Sequence, residues 1–191
     1  MQPTDIEDRT FDNIDYTNKS LANTIYTNCV FNYCNFTKTD ISYASFEDCT
    51  FNICIFSETT VNLTRFKNVF FNETKMMGFH FNNCKEFLFE LRFKNCPLDY
   101  ASFFEKKMRN TFFTDCSLKE VDFAKADLTM ATFANSDLQD AIFDETILEK
   151  ADFRTAIHFR IDPQQNKIKK AKFSHLGLEG LLIKYGIEVE Y

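Results

Sequence analysis

The residues best suited to chemistry in this sequence are its seven cysteines, since a thiolate can bind a metal or attack an electrophile. Their spacing argues against a metal site, because there is no Cys-x-x-Cys pair and no histidine at ligand spacing. Six of them form pairs twenty residues apart: Cys29 and Cys49, Cys34 and Cys54, Cys96 and Cys116. We expect small, buried, free thiols stacked on neighbouring repeats. Stacked pairs could oxidise, but a cytosolic setting argues against it.

The other side chains that catalyse reactions are too scattered to form a predicted active site. The histidines are His80, His158 and His175, and the repeat places no serine or cysteine beside any of them. With four glycines in the whole chain, there is no glycine-rich loop to hold a phosphate. The sequence therefore predicts a protein that is not an enzyme and that has no metal and no cofactor.

The net charge of −6 disfavours nucleic acid or an anionic membrane as a direct partner. No apolar run is long enough for a membrane span, and the start, Met1–Thr10, is too polar for a signal peptide. These features predict a cytoplasmic protein.

Negative charge is concentrated between Asp115 and Asp152, where ten carboxylates face three lysines. One interpretation is a solvated surface that keeps the protein soluble. The other is a binding face whose carboxylates imitate the phosphates of duplex DNA in front of a basic groove. The residues predicted for that face are Asp122, Asp127, Asp137, Asp140, Asp144, Glu145, Glu149 and Asp152.

The elements that must position these groups are revealed by a five-residue rhythm. From Leu118 to Phe153 every fifth residue is Leu or Phe, and a small or slim residue stands two places before each. Neither an α-helix nor a flat strand produces this period. A short fixed period is typical of a solenoid, in which each repeat buries its apolar face against its neighbours.

The rhythm begins at Phe11 and sorts itself on a twenty-residue period into four ladders of apolar residues. One ladder is entirely phenylalanine: Phe11, Phe31, Phe51, Phe71, Phe93, Phe113, Phe133 and Phe153. Glu86 occupies a slot where an apolar residue is due, and the rhythm resumes two residues late at Leu88. We therefore predict a four-sided β-helix of about seven to eight coils, with a two-residue bulge near residues 82–87.

Units such as Ala126-Asp127-Leu128-Thr129-Met130 and Ala151-Asp152-Phe153-Arg154-Thr155 resemble those of pentapeptide-repeat proteins. The resemblance implies an all-β solenoid, a right-handed quadrilateral β-helix. Glycine is nearly absent from the turn position two places after the bulky residue. Asparagine replaces it, and we expect positive φ there. The residues concerned are Asn13, Asn18, Asn23, Asn28, Asn68, Asn83, Asn95, Asn110 and Asn135, with Gly78.

The predicted organisation is a polar arm over 1–10, the β-helix over 11–159 and a C-terminal cap over 160–191. Ser174 is placed to N-cap an α-helix over His175–Lys184, with Gly186 at its end. Residues 187–191 alternate like a short strand. An open solenoid end needs such a cap. The apolar residues predicted for capping or for dimerisation are Leu178, Leu181, Leu182 and Tyr185.

The resemblance extends to members of the quinolone-resistance type, which dimerise end to end through a C-terminal helical segment. Such members are proposed to act on DNA gyrase and topoisomerase IV by imitating DNA. The resemblance therefore implies a homodimeric, DNA-mimicking modulator of a type II topoisomerase. The alternative is a generic scaffold that binds another protein.

A second predicted surface consists of Phe70, Arg92 and Phe112, each one place before the all-phenylalanine ladder. The pattern predicts an exposed stack of aromatic, arginine and aromatic side chains. It could pack beneath the bulge, or it could be a protein-binding patch, because aromatic and arginine side chains are favoured interface anchors.

Overall fold

The computed structural model describes residues 4–86 and 90–187. Its backbone winds into a parallel β-solenoid in which each five-residue unit forms one side of a coil. Within a unit, the slim residue and the bulky residue point inward, while the residue between them and the two that follow face solvent. The apolar ladder is buried for this reason: fourteen phenylalanines are less than 2% exposed.

Eleven short strands occur within the coils. They are β1 (Thr4–Glu7), β2 (Thr10–Asp12), β3 (Thr24–Thr27), β4 (Val30–Asn32), β5 (Ser45–Glu47), β6 (Thr50–Asn52), β7 (Arg65–Lys67), β8 (Val69–Asn72), β9 (Leu91–Lys94), β10 (Phe112–Thr114) and β11 (Thr132–Ala134). All pairing between them is parallel.

The strands form two of the four sides of the rod. Side 1 carries the all-phenylalanine ladder and is a seven-stranded sheet in the order β11-β10-β9-β8-β6-β4-β2. Side 4, which precedes it in each coil, holds the sheet β1-β3-β5-β7. On sides 2 and 3, whose ladders start at Tyr16 and Leu21, isolated bridges join each coil to the next. The seven strands of side 1 span six turns of the solenoid. The bridges from Thr132 to Asp152 and from Asp152 to Lys172 extend this side by two more turns.

The core is a set of aromatic stacks that run along the axis. Phe31 and Phe51 lie parallel with ring centroids 4.7 Å apart, and Phe51 and Phe71 follow at 5.1 Å. Rings on adjacent sides meet edge to face, as Phe31 does with Phe36 at 5.7 Å. Both arrangements are favourable for aromatic quadrupoles. Phenylalanine therefore suits a slot that repeats in every coil.

Turns between sides use the left-handed backbone region. Eight of the nine predicted asparagines have positive φ, as does Gly78. Asn83 is the exception because it belongs to the 3₁₀ helix Phe81–Asn83. Side chains with no preference for this region also occupy it, among them Tyr33, Ile53 and Leu63.

The solenoid is longer at both ends than the sequence pattern predicts. Residues Thr4–Glu7, expected in a polar arm, form strand β1 and pair with β3. The coil also continues beyond residue 159, because Lys167 and Lys172 bridge to Ile147 and Asp152, and Phe173 stacks on Phe153. Strand β1 was not predicted because most of its side chains are polar. The coil beyond residue 159 was not predicted because His158 and Pro163 interrupt the five-residue spacing.

The two extra residues enter between Lys85 and Glu90. The amide of Lys85 still bonds to the carbonyl of Thr64, twenty-one residues earlier, as in regular coils. By Leu91, which pairs with Val69, the separation between partners has grown to twenty-two residues. The predicted resumption of the rhythm at Leu88 lies outside the described residues, as does Phe87.

The C-terminal cap is a pair of 3₁₀ helices, His175–Leu181 and Ile183–Tyr185, rather than the predicted α-helix. The hydroxyl of Ser174 accepts from the amide of Gly177, and Gly186 ends the segment at φ 61°, as predicted. A Cβ at Gly180 would lie 2.3 Å from the carbonyl oxygen of Phe159, so only glycine allows this approach. Two glycines in seven residues also weaken an α-helix. The predicted strand beyond Ile187 lies outside the described residues.

Across residues 4–86 and 90–187, every helix falls short of the length and hydrophobicity that crossing a membrane requires.

Candidate binding surfaces

The coil geometry decides which polar residues come together. Residues five apart lie on successive sides of the rod, whereas residues twenty apart lie directly above one another. The bridges between Ser102, Asp122 and Ile142 on side 3 show this stacking. The acidic segment from Asp115 to Asp152 therefore runs almost twice around the solenoid.

The eight predicted acids consequently do not share one face. Asp152 lies on side 1, Asp137 on side 2, Asp122 and Asp144 on side 3, and Asp127 and Glu149 on side 4, while Asp140 and Glu145 stand at the two corners of side 3. A charge count along the sequence could not reveal this separation, because it ignores the turn after every fifth residue.

Four of these acids have a cationic neighbour: Asp140, described below, and the three that follow. Asp127 pairs with Arg109 at 2.6 Å, Asp137 with Lys119 and His158, and Asp152 with Arg154 and Lys172. Burial works to raise the pKa of Asp127, but hydrogen bonds from Thr129 and Arg109 outweigh it, so that the pKa is lowered. Arg154 is the main cause of the lowered pKa of Asp152. These carboxylates stabilise turns and neighbouring coils, and their charge is already compensated.

The remaining acids lie mainly on side 3, and most of them are uncompensated. Asp122 and Asp144 stand on that side, Glu145 on one corner, and Glu120 and Asp140 on the other. Within the described residues Asp140 pairs with Arg160 at 3.6 Å, and the remaining four carboxylates are absent from the ion pairs found there. Glu120 belonged to the acidic segment but not to the predicted face. We refer to these five residues as the acidic strip.

Side 1 carries the predicted aromatic stack, on the opposite side of the rod. Phe70, Arg92 and Phe112 are register partners on the adjacent strands β8, β9 and β10. The guanidinium of Arg92 lies 5.8 Å from the ring centroid of Phe70, and Phe112 is 48% exposed. The structure thus brings these three residues together on the surface. We refer to them as the side-1 stripe.

The four predicted cap residues have different surroundings. Leu181 packs against the core, and Leu182 is half-buried. Leu178 and Tyr185 are exposed, together with Leu176, Ile183 and Ile187. A 3₁₀ helix has three residues per turn, so the α-helical spacing used for the prediction does not keep all four on one side. The tip therefore closes the core while it exposes apolar side chains.

An open groove of about 730 Å³ separates the tip from the last coils. Its lining includes Ile157, Phe159, Leu176 and Ile183, together with Arg160 and His158. His158 contacts Asp137 at 2.8 Å rather than a nucleophile. The described lining residues offer apolar contact more than acid–base chemistry.

All seven cysteines are buried and free, as predicted. Several thiols donate to main-chain carbonyls of the preceding coil: Cys54 contacts the oxygen of Phe31 at 3.4 Å, and Cys49 that of Tyr26 at 3.4 Å. Burial raises the pKa of Cys49 to about 12. Within the described residues, no cluster of His, Cys, Asp or Glu could hold a metal ion.

The residue that sequence reasoning missed is Lys106. It occupies an inward slot otherwise filled by slim residues and is 6% exposed. Its ammonium donates to the carbonyl of Cys84 and lies 3.5 Å from Glu86. A lysine two places before Met108 breaks the rhythm of slim residues, and it does so one coil after the bulge. A lysine in a slim-residue slot so close to the bulge is the sequence signal that could have identified Lys106.

A four-sided rod of parallel coils with αL turns after every fifth residue defines a class of β-solenoid. The sequence profile of the family described as Pentapeptide repeats matches the chain in eight copies, over residues 20–52, 96–133 and 126–157. The chain belongs to the pentapeptide-repeat family. No curated protein sequence matches it.

A solved structure shares this fold at low sequence identity. HetL, a pentapeptide repeat protein involved in heterocyst differentiation regulation from the cyanobacterium Nostoc sp. strain PCC 7120, superposes with a TM-score of 0.63 and 11% identity, over 90% of this chain and 86% of HetL. A trypsin-treated variant of QnrB1, a plasmid-mediated fluoroquinolone resistance protein, has a TM-score of 0.45 and 15% identity, over 98% of this chain and 92% of the QnrB1 chain.

Proposed function

We propose that this chain is a non-catalytic scaffold of the cytoplasm that binds other proteins through its outer surface. Its acidic strip docks into a basic groove that otherwise holds duplex DNA, and the partner is a type II topoisomerase. The observation that carries the proposal is the strip itself, in which four of five carboxylates on one side of a rigid rod lack a cationic partner within the described residues.

The geometry suits electrostatic recognition. Coils are separated by about 4.8 Å, so Glu120 and Asp122 stand one coil before Asp140 and Asp144 on a backbone that is hydrogen-bonded from coil to coil. Fixed charges of one sign speed the encounter with a groove of opposite sign and exclude acidic competitors. The resemblance of the sequence to quinolone-resistance members makes gyrase and topoisomerase IV the first partners to test.

The test is gyrase supercoiling, titrated with purified protein in the presence and absence of a quinolone. Near-stoichiometric protein is expected to inhibit supercoiling or to protect against the drug. The quadruple variant E120Q/D122N/D144N/E145Q is expected to lose this effect. Asn at position 122 keeps the oxygen that accepts from the amide of Ala124, so the turn is preserved.

A matched control removes the same charge from the far side of the rod. The variant D12N/D48N/E73Q/D115N alters side 1 and its corners, where three of the residues accept from Asn32, Asn68 and Asn135. It is expected to behave like the wild type. Equal loss in both variants would reject the strip as the site, and no effect of wild-type protein in large excess would reject the topoisomerase.

The proposal includes a homodimer joined through the C-terminal tip. Leu176 is 74% exposed and Tyr185 is 55% exposed, which is unusual for apolar groups beside a closed core. Sedimentation equilibrium is expected to give a dimer for the wild type and a monomer for L176K/L178K. A wild-type monomer at high concentration would remove the dimer from the proposal.

A further inference from the structure

We propose that the side-1 stripe binds an α-helix of a partner protein, and that this helix carries an acidic residue midway between two apolar residues on the same face. The inference rests on the proposed role as a binding scaffold. It assigns a different surface and a different partner chemistry, since the stripe lies opposite the acidic strip.

The stripe is a preformed surface on three adjacent strands. Phe70 pairs in register with Arg92, and Arg92 with Phe112, so the three side chains stand in one outward column. One amino group of Arg92 donates to the side-chain oxygen of Asn68 at 3.0 Å, which steadies the guanidinium beside the Phe70 ring. These two contacts restrict the rotamers of Arg92, so a ligand has less freedom to remove there, which favours binding.

The charge of Arg92 is uncompensated in the described part of the chain. Arg109, Arg154 and Arg160 each lie within 4 Å of a carboxylate, whereas none of the ion pairs found there includes Arg92. A guanidinium has five N–H donors in a fork that matches a carboxylate. Phenyl rings above and below it would exclude water from such a contact and strengthen it.

The spacing selects a helix over an extended peptide. Adjacent strands are about 4.8 Å apart, which places Phe70 and Phe112 roughly 9.6 Å from each other with Arg92 midway. On an α-helix, residues i and i+7 are about 10.5 Å apart and i+3 or i+4 lies between them. In an extended peptide, side chains on one face repeat every 6.6 Å or so and fall out of step with the column.

The probe is a synthetic helical peptide of about 16 residues with Leu at i and i+7 and Glu at i+3 and i+4 on an Ala/Gln background. Binding is followed by the chemical shifts of the labelled protein. Wild-type protein is expected to bind it at least about tenfold more tightly than a peptide with Lys at i+3 and i+4. The variant R92E is expected to reverse that preference, and F70A/F112A to abolish binding of both peptides.

Arg65 provides the matched control. It is exposed and occupies the same outward slot on β7, on side 4, so R65E makes the same charge change away from the stripe. R65E is expected to keep the wild-type preference. Thermal unfolding of each variant checks that the fold is intact.

Several results would overturn the inference. They are equal binding of the Glu and Lys peptides, equal effects of R92E and R65E, and equal binding of a proline-interrupted peptide of the same composition. Tighter binding of a single-stranded oligonucleotide would mean that the rings stack bases instead. The gyrase experiment can fail independently of these outcomes, because its strip variant E120Q/D122N/D144N/E145Q alters only side 3 and its corners and leaves the stripe unchanged.

Discussion

The ammonium of Lys106 donates to the main-chain carbonyl of Cys84 at the level where two extra residues enter the coil. In regular coils, slim residues fill this inward slot, such as Ala126 and Thr146 in the following turns. The longer side chain reaches the carbonyl of Cys84 in the preceding coil and also approaches Glu86. Lys106 thereby ties the two halves of the solenoid together across the bulge.

Replacement of Lys106 by Met tests this role. The substitution keeps the apolar stem and removes the donor to the Cys84 carbonyl, so we expect the free energy of unfolding to fall by about 2 kcal/mol. K38M is the control, because Lys38 is exposed and its pair with Glu58 spans 3.7 Å. Its effect is expected to stay within about 0.5 kcal/mol. Urea unfolding measures both, and equal losses would contradict the role given to Lys106.

The stack of phenylalanines predicts position-dependent costs of truncation. Phe51 is fully buried between Phe31 and Phe71, and F51A is expected to cost about 3 to 5 kcal/mol. Phe11, at the end of the rod, is only partly buried, so F11A is expected to cost less. Because a solenoid is held by nearest-neighbour contacts, F51A should also separate unfolding into two transitions. A single transition with unchanged slope would argue against that separation.

Ile53 is a site where stability can be gained. It is a β-branched residue at φ 54° and is 41% exposed. Asn tolerates the left-handed region better, so I53N is expected to raise the free energy of unfolding by about 0.5 to 1 kcal/mol. I55N, on the same coil in an extended position, should give no gain. A loss in I53N would show that the side chain makes contacts worth more than its backbone strain.

The buried thiols predict a decline of stability at high pH. Burial raises the pKa of Cys49 and of Cys84 to about 12, from an ordinary value of 9.0. The folded state therefore holds protons that the unfolded state releases, and stability present below pH 9 is lost as the pH rises towards 12. Urea midpoints between pH 7 and pH 11 should fall, and the fall should be shallower in C49A than in the wild type. Identical profiles would contradict the contribution of Cys49.

The fold was predictable because its main cause is local and repeated. The five-residue spacing of Phe and Leu defines the sides, and the buried positions of Phe51, Phe113 and the cysteines follow from it. The ends were not predictable on the same basis. Strand Thr4–Glu7 is held by backbone pairing, and its side chains show little of the five-residue pattern. The cap depends on the close approach of Gly180 to Phe159, which the spacing of residues does not encode.

The surfaces were predictable only in part, for a geometric reason. The side-1 stripe follows from residues twenty or twenty-two apart, and the sequence places it correctly. The acidic residues were grouped by their distance along the chain, although Asp127 and Asp152 point to different sides and are paired with Arg109 and Arg154. Ion pairs between coils depend on side-chain reach, which periodicity does not encode.

Because the coils stack in parallel, the length of the rod is set by the number of whole coils. Apart from a local bulge such as the one between Lys85 and Glu90, whole coils of about twenty residues are the unit that can be added or removed without loss of register, and each lengthens the rod by roughly 4.8 Å. The distance along the rod axis between the side-1 stripe and the acidic strip therefore changes in steps of one coil. A chain with one coil more or one coil fewer between the two surfaces would hold two bound partners about 4.8 Å farther apart or closer together, while the chemistry of each surface stays the same.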